Sequence, residues 1–195
     1  MRCLVVYAHP VDTSFCAALR ATAIDALQSA GHEVRQIDLY AEQFDPVMSR
    51  AERLAYHLPG TNEGPVHEHV RDIRWAQALV FVYPTWWYGL PAILKGWLDR
   101  VWLPHVTFTL PSDGSAIRGL MDNIEFLVVV TTAGASWFWL TLMGNPGRTT
   151  IMRGVRALCR RRCRKLWLAH YSMDRSTAGS RGAFLARIRK RLGAL

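Results

Sequence analysis

Three short stretches of this 195-residue chain combine residue types that act on ligands. In the first, His9, Thr13, Ser14, Phe15 and Cys16 follow a short apolar run. Two hydroxyls at a helix start cap its free backbone N–H groups. The same N–H groups, with His9 and the helix dipole, also make an anion site suited to phosphate. Both readings stand on the residues alone. The second stretch, Pro84-Thr85-Trp86-Trp87-Tyr88-Gly89, sets two adjacent tryptophans and a tyrosine between a proline and a glycine. Each buried Trp carries about 150–250 Å² of surface, so two in a loop need a cover: the protein's own loops, a second subunit or a flat ligand. In the third, Thr131, Thr132, Ala133 and Gly134 are small enough for backbone amides to approach a ligand edge, or they simply mark a strand leaving a sheet. An anion site, an aromatic wall and a small-residue loop suit a flat ligand that carries phosphate, and no metal is expected.

For the three to meet, the elements between them must bring them together. Residues 4–8 form a continuous apolar run of the kind buried in a parallel sheet. From Ser14 to Ala30 the apolar period becomes helical, and Gly31 supplies a stop. A short strand around Val34, Ile37 and Leu39 follows, then a helix over 66–75, a strand over 79–83, and a helix from Pro91 to about Leu103 in whose core Trp97 and Trp102 fit. The 104–122 loop is long, which in compact domains often signals function. A strand over 124–132, a basic helix over 149–163, a strand over 166–171 and a helix over 181–192 complete the chain. Alternating strands and helices predict an α/β fold with a five-stranded parallel sheet of order 2-1-3-4-5 and helices on both faces. In that order ligands bind beyond the carboxyl ends of the strands, between strands 1 and 3, where all three stretches fall. No GxGxxG follows the first strand, which argues against a dinucleotide fold of six strands.

Composition narrows the class. Half the residues are hydrophobic and 20% are charged, which excludes a disordered chain. The apolar run after Met1 is too short for a signal peptide or a membrane span, and Cys3, Cys16, Cys159 and Cys163 show no disulfide framework, so a cytoplasmic location is expected. The net charge of +9 is uneven: residues 148–195 hold 14 Lys or Arg and a single acid, Asp174. That basic end either solvates helix faces or meets an anionic partner, a membrane surface included. Charge without a reading motif leaves no case for nucleic acid. Arg148 and Arg153 lie just beyond the third stretch, and with Trp137 and Trp139 they are candidates for contacting a nucleotide substrate.

The stretches Tyr7-Ala8-His9-Pro10 with Thr13-Ser14-Phe15, the run from Tyr83-Pro84-Thr85-Trp86-Trp87-Tyr88-Gly89-Leu90-Pro91 through Gly96-Trp97-Leu98-Asp99-Arg100, and Thr131-Thr132-Ala133-Gly134 resemble the flavodoxin-like NAD(P)H:quinone oxidoreductases of the DT-diaphorase type. The resemblance covers essentially the whole chain and implies one flavodoxin-like, three-layer flavin-binding domain over 1–195. It implies a flavin, FAD or alternatively FMN, with its phosphate by His9, Thr13, Ser14, Phe15 and Cys16, where family members often carry Asn. The ring would lie along Pro84, Thr85, Trp86, Trp87 and Tyr88 and be hydrogen-bonded by the backbone of 131–134. The implied activity is a two-electron, ping-pong reduction of quinones or similar flat acceptors, with NAD(P)H as co-substrate, by a homodimer. Animal members carry a Tyr and a His beyond the third stretch; residues 137–145 here hold neither, so no side-chain acid or base is expected. Small flavoproteins of this type also serve as ancillary regulatory subunits of glutathione-gated potassium efflux systems, and that role is the alternative.

Overall fold

The computed structural model describes residues 1–111 and 116–195; part of the long loop expected over 104–122 falls outside them. Five parallel strands, β1 (Arg2–Tyr7), β2 (Glu33–Asp38), β3 (Ala78–Thr85), β4 (Phe126–Ala133) and β5 (Arg164–His170), lie in the order β2-β1-β3-β4-β5, as the alternation predicts.

The period-2 geometry of strands explains why these runs are apolar throughout. Cys3, Val5 and Tyr7, with Val80, Val82, Val128 and Val130, face one side, where α1 (Phe15–Ser29) and the C-terminal helix cover them. Leu4, Val6 and Ala8, with Leu79, Phe81 and Tyr83, face the other. There α2 (Arg50–Ala55), α3 (His67–Trp75) and α4 (Ala92–Val101) precede β4 in the chain, and α3 and α4 supply Val70, Ile73, Leu94 and Trp97 to the core. A strand covered on both faces has no polar side to present. Trp97 is fully buried and packs edge-on against Trp102, ring centroids 5.0 Å apart, so these two tryptophans are core residues.

Several boundaries differ from the sequence expectation. First, β3 continues through Pro84 and Thr85, pairing them with Thr132 and Ala133, where a loop was expected. The missing N–H of Pro84 is harmless there. Val82 O accepts from Ala8 N, so every second residue of β3 faces β1, and β1 has run out by Pro84. Second, α2 was not expected, although Ser49 and Glu52 form a capping box in which each side chain accepts the other's backbone N–H. Third, α5 (Trp137–Leu142) is followed by a segmented helix: α6 (Pro146–Thr149), a π-helical stretch (Thr150–Val155) and α7 (Arg156–Leu158). It stops five residues before the expected end, because the 104–122 loop pairs with its last turn: Met121 N–H donates to Leu158 O and Arg160 N–H to Met121 O. The last helix, α8 (Ala178–Leu192), starts earlier than its apolar period suggests, with Thr177 as its cap.

Gly96 shows what the close packing requires. It sits inside α4, where glycine costs about 1 kcal/mol relative to Ala. A Cβ there would collide with the backbone of Pro46, so the loop before α2 lies directly on the helix.

Candidate active site

The loops after β1, β3 and β4 meet at one end of the sheet. After β1, Ser14 caps α1, its Oγ accepting from Ala17 N at 3.1 Å. The capping reading is therefore realised, and it leaves the Phe15 and Cys16 N–H groups of the first turn without an intrahelical acceptor. Cys16 is buried, and burial pushes its thiol up to about 12, so this residue offers the loop its backbone rather than a reactive sulfur. The Phe15 ring turns to His170 of β5, centroids 5.7 Å apart, so Phe15 too contributes through its N–H. Val11 N–H donates to His9 Nδ1 at 3.0 Å, which leaves the Nε2 side of the ring to act as donor. Partial burial lowers the pKa of His9, favouring the neutral ring. Thr13 is exposed beside it.

After β3 the chain reverses in a tight turn over 86–89: Gly89 N–H donates to Trp86 O at 2.9 Å, with φ +49° at Trp87 and +64° at Tyr88. Two positive φ values at the central positions define a type I′ turn, which Asn and Gly adopt easily and bulky aromatics do not. Trp87 is 94% exposed, so no packing within the chain repays this conformation. Backbone strain without local compensation is a mark of functional loops. Trp86 is 43% exposed and stands 5.9 Å from His9 between ring centroids, joining the aromatic turn to the anion loop. Tyr88 is tied down from α5, where Trp139 Nε1 donates to its hydroxyl at 3.1 Å. Thr85 and Thr131 share a hydroxyl–hydroxyl hydrogen bond of 3.1 Å across β3 and β4, which fixes the two strand ends together.

A cavity of about 260 Å³ opens between these loops, lined by Thr85, Trp87, Tyr88, Ala133, Gly134 and Asp174 among others. A second, of about 480 Å³, adjoins it through Gly134 and Asp174 and adds Phe138, Trp139 and Arg175. Asp174 and Arg175 come from a single 3-10 turn (Met173–Arg175) after β5, held in place by Ser172 N–H donating to Ala135 O at 3.1 Å. A Cβ at Gly134 would stand 2.8 Å from Asp174 Oδ2, so the missing side chain lets this carboxylate lie close over the loop. Neither Asp174 nor Arg175 follows from sequence motifs; the one signal was an isolated acid in a strongly basic tail. Of the four proposed substrate contacts, Trp139 lines the second cavity, whereas Trp137, Arg148 and Arg153 line neither. The Arg148 guanidinium lies 6.0 Å from the Trp167 ring centroid. Among the described residues no group of His, Cys, Asp or Glu is arranged to hold a metal.

A parallel sheet of this order, with a helix N-terminus, an aromatic turn and a glycine loop at its switch point, is a doubly wound α/β arrangement, the class in which ligands lie beyond the carboxyl ends of the strands. The family model for the flavodoxin-like fold matches residues 1–160, and the chain belongs to that family. It is 33% identical over 168 residues to NAD(P)H dehydrogenase (quinone) 1 of Cavia porcellus, an alignment covering 77% of this chain and 60% of that protein. The chain thus spans about three fifths of the length of the curated relatives it matches. The NAD(P)H:quinone oxidoreductase from Methanothermobacter marburgensis superposes with a TM-score of 0.83 at 27% identity, covering 99% of this chain and 98% of that one. A protein of Streptococcus mutans superposes over the full length of both chains with a TM-score of 0.86 at 25% identity.

Proposed function

We propose that this chain is a flavin-dependent NAD(P)H:quinone oxidoreductase whose residues 1–195 act as one flavin-binding domain. The observation that carries the proposal is the strained aromatic turn over 86–89, held beside a helix N-terminus and facing Gly134 across a cavity. The donor set fits a flavin: the Phe15 and Cys16 N–H groups, the Ser14 and Thr13 hydroxyls and His9 make an anion pocket for its phosphate. Pro84, Thr85, Trp86, Trp87 and Tyr88 wall the ring, and the backbone from Thr131 and Thr132 to Ala133 and Gly134 offers hydrogen bonds to its edge. When bound, the flavin supplies the two-electron chemistry that links NAD(P)H to a quinone-like acceptor.

The protein's own residues bind, orient and screen. Backbone N–H groups aimed at the ring edge favour negative charge there, a preorganised role that no side-chain acid needs to share. Asp174, the only carboxylate among the residues lining the two cavities, accepts hydrogen bonds from N–H groups of a bound ring or amide. Arg175 is better placed than Arg148 or Arg153 to meet a nucleotide phosphate at the cavity mouth. Trp137, Phe138, Leu142 and Met143 are between 42% and 67% exposed, which supports assembly as a homodimer that covers them. FAD is the proposed cofactor, with FMN the alternative. The named relatives favour turnover over a purely regulatory role beside a potassium efflux system. Among the described residues no helix is long and apolar enough to cross a membrane.

The test is reconstitution. The chain incubated with excess FAD or FMN and then desalted should retain one flavin per chain and oxidise NAD(P)H only when a quinone is present. A colourless protein fraction from both incubations would refute the proposal.

A further inference from the structure

Asp174 is the single acid among residues 148–195, and the fold brings it to the end of β4. The turn that carries it starts from Ser172 in the left-handed region, at φ +54° and ψ 45°, a costly place for a residue with a side chain. Backbone hydrogen bonds hold the turn there: Ser172 N–H donates to Ala135 O at 3.1 Å, Arg175 N–H to Ser172 O at 3.0 Å and Ser176 N–H to Met173 O at 3.0 Å. Arg181 braces it from α8, its Nη1 donating to Ser176 Oγ at 2.9 Å. The carboxylate lies against Gly134, where a Cβ would stand 2.8 Å from Oδ2 and 3.8 Å from Oδ1.

The surroundings leave this charge to the cavities. Among the described residues no Lys, Arg or His forms an ion pair with Asp174. It is the only charged side chain among the described residues that line the first cavity, and the second adds one more, Arg175. The other walls include Thr85, Trp87, Tyr88, Phe138 and Trp139, which offer aromatic faces and hydroxyls. A flat ring that enters therefore meets one fixed anion with capacity to accept hydrogen bonds. A carboxamide on that ring carries two N–H donors, and its bond to a carboxylate is charge-assisted. A carboxylate in the same place carries no donor and is repelled. A site built around such a hydrogen bond rejects the analogue that lacks the donor, more strongly than a site that reads shape alone.

We infer that Asp174 is a specificity-determining residue that selects the reduced pyridine nucleotide by its ring substituent, admitting nicotinamide and rejecting nicotinic acid. The inference rests on the proposed oxidoreductase reading and adds to it the direction in which the donor enters. The amide points toward Asp174 and the phosphates toward Arg175. These two opposite charges, adjacent in the chain but not paired with each other, give the second cavity its polarity.

The test uses the flavin-loaded full-length protein, wild type and Asp174→Asn. The probes are NAD in its oxidised form and nicotinic acid adenine dinucleotide, which differ only in carboxamide against carboxylate. Dissociation constants are read from the change each causes in the flavin spectrum. The reduced forms give rate constants for loss of flavin absorbance in the absence of oxygen. Wild type should favour the amide form about ten- to a hundredfold, the worth of one hydrogen bond to a charged group. Asn accepts from an amide and donates to a carboxylate, so in the variant the preference should fall to within about threefold. The same preference in both proteins would overturn the role of Asp174 and leave the oxidoreductase reading standing. So would a variant whose flavin affinity falls while its preference does not, because Asp174 would then serve the cofactor. Wild type that NADH does not reduce would overturn that reading and this inference with it. Where neither oxidised form binds measurably, the rate constants decide by the same margin. If the variant fails to fold or to load flavin, wild type decides alone, and a preference below about threefold overturns the inference.

Discussion

Trp87→Asn separates the conformational cost of the aromatic turn from its use. Trp87 is held at φ +49° and is 94% exposed, so it contributes little to the folded chain beyond strain. The left-handed region costs an L-residue roughly 1–2 kcal/mol, and Asn tolerates it better than a bulky aromatic does. Against this, the small buried fraction of the ring, about 15 Å², is worth about 0.4 kcal/mol at about 25 cal/mol per Å². The balance is a gain of about 0.5–1 kcal/mol, or a rise in Tm of about 1–4 °C at this chain length. The ligand-bound state should move the other way. A stacked aromatic contact is worth about 0.5–1.5 kcal/mol, so flavin affinity should fall about two- to tenfold. Differential scanning calorimetry on the flavin-free protein and fluorescence titration with flavin measure the two effects separately. A flavin-free variant that melts below wild type would show that the turn is not strained. An unchanged flavin affinity would show that Trp87 does not wall the ring.

Ser14→Asp keeps the helix cap, since Asp accepts the Ala17 N–H as well as Ser does, but sets a carboxylate beside the anion pocket; flavin affinity should drop at least about tenfold while the flavin-free Tm stays within about 2 °C. Equilibrium dialysis read beside thermal melts would contradict the phosphate placement if both quantities stayed put. Gly96→Ala gains about 1 kcal/mol of helix propensity yet should destabilise by roughly 1–3 kcal/mol net, because its methyl group meets the Pro46 backbone; urea unfolding that shows a more stable variant would refute the close approach. Burial alone would raise the Glu52 carboxyl, but hydrogen bonds from the Ser49 N–H and hydroxyl and from Arg100 outweigh it and hold Glu52 below its ordinary value. Its contribution is therefore present above the unfolded carboxylate range and fades as pH falls through the lower folded value. The stability gap between wild type and Glu52→Gln, followed by urea unfolding from neutral pH into acid, should narrow, and a constant gap would rule out the linkage.

The strands were legible because a sheet covered on both faces leaves a local mark: runs such as 4–8 and 79–83 with no polar face. Their order followed from alternation with helices, and from the order followed the meeting of the three loops. Boundaries that depend on distant partners were not legible. β3 passes through Pro84 because β1 ends early, and the helix before β5 stops at Leu158 because Met121 arrives to take its last hydrogen bonds.

The sequence by itself determined the parallel sheet, the helix that carries Trp97, the glycine loop and the presence of an aromatic loop at the switch point. Each rests on short-range periodicity or on side-chain types that act wherever they stand. Only the tertiary structure decided that Trp87 and Tyr88 occupy a left-handed turn, that Asp174 closes over Gly134, and that the Arg148 guanidinium lies toward Trp167. In each case the geometry is imposed by closure between segments far apart in the chain or by a turn whose shape its own residues oppose. Local preference cannot reveal an arrangement that local preference disfavours.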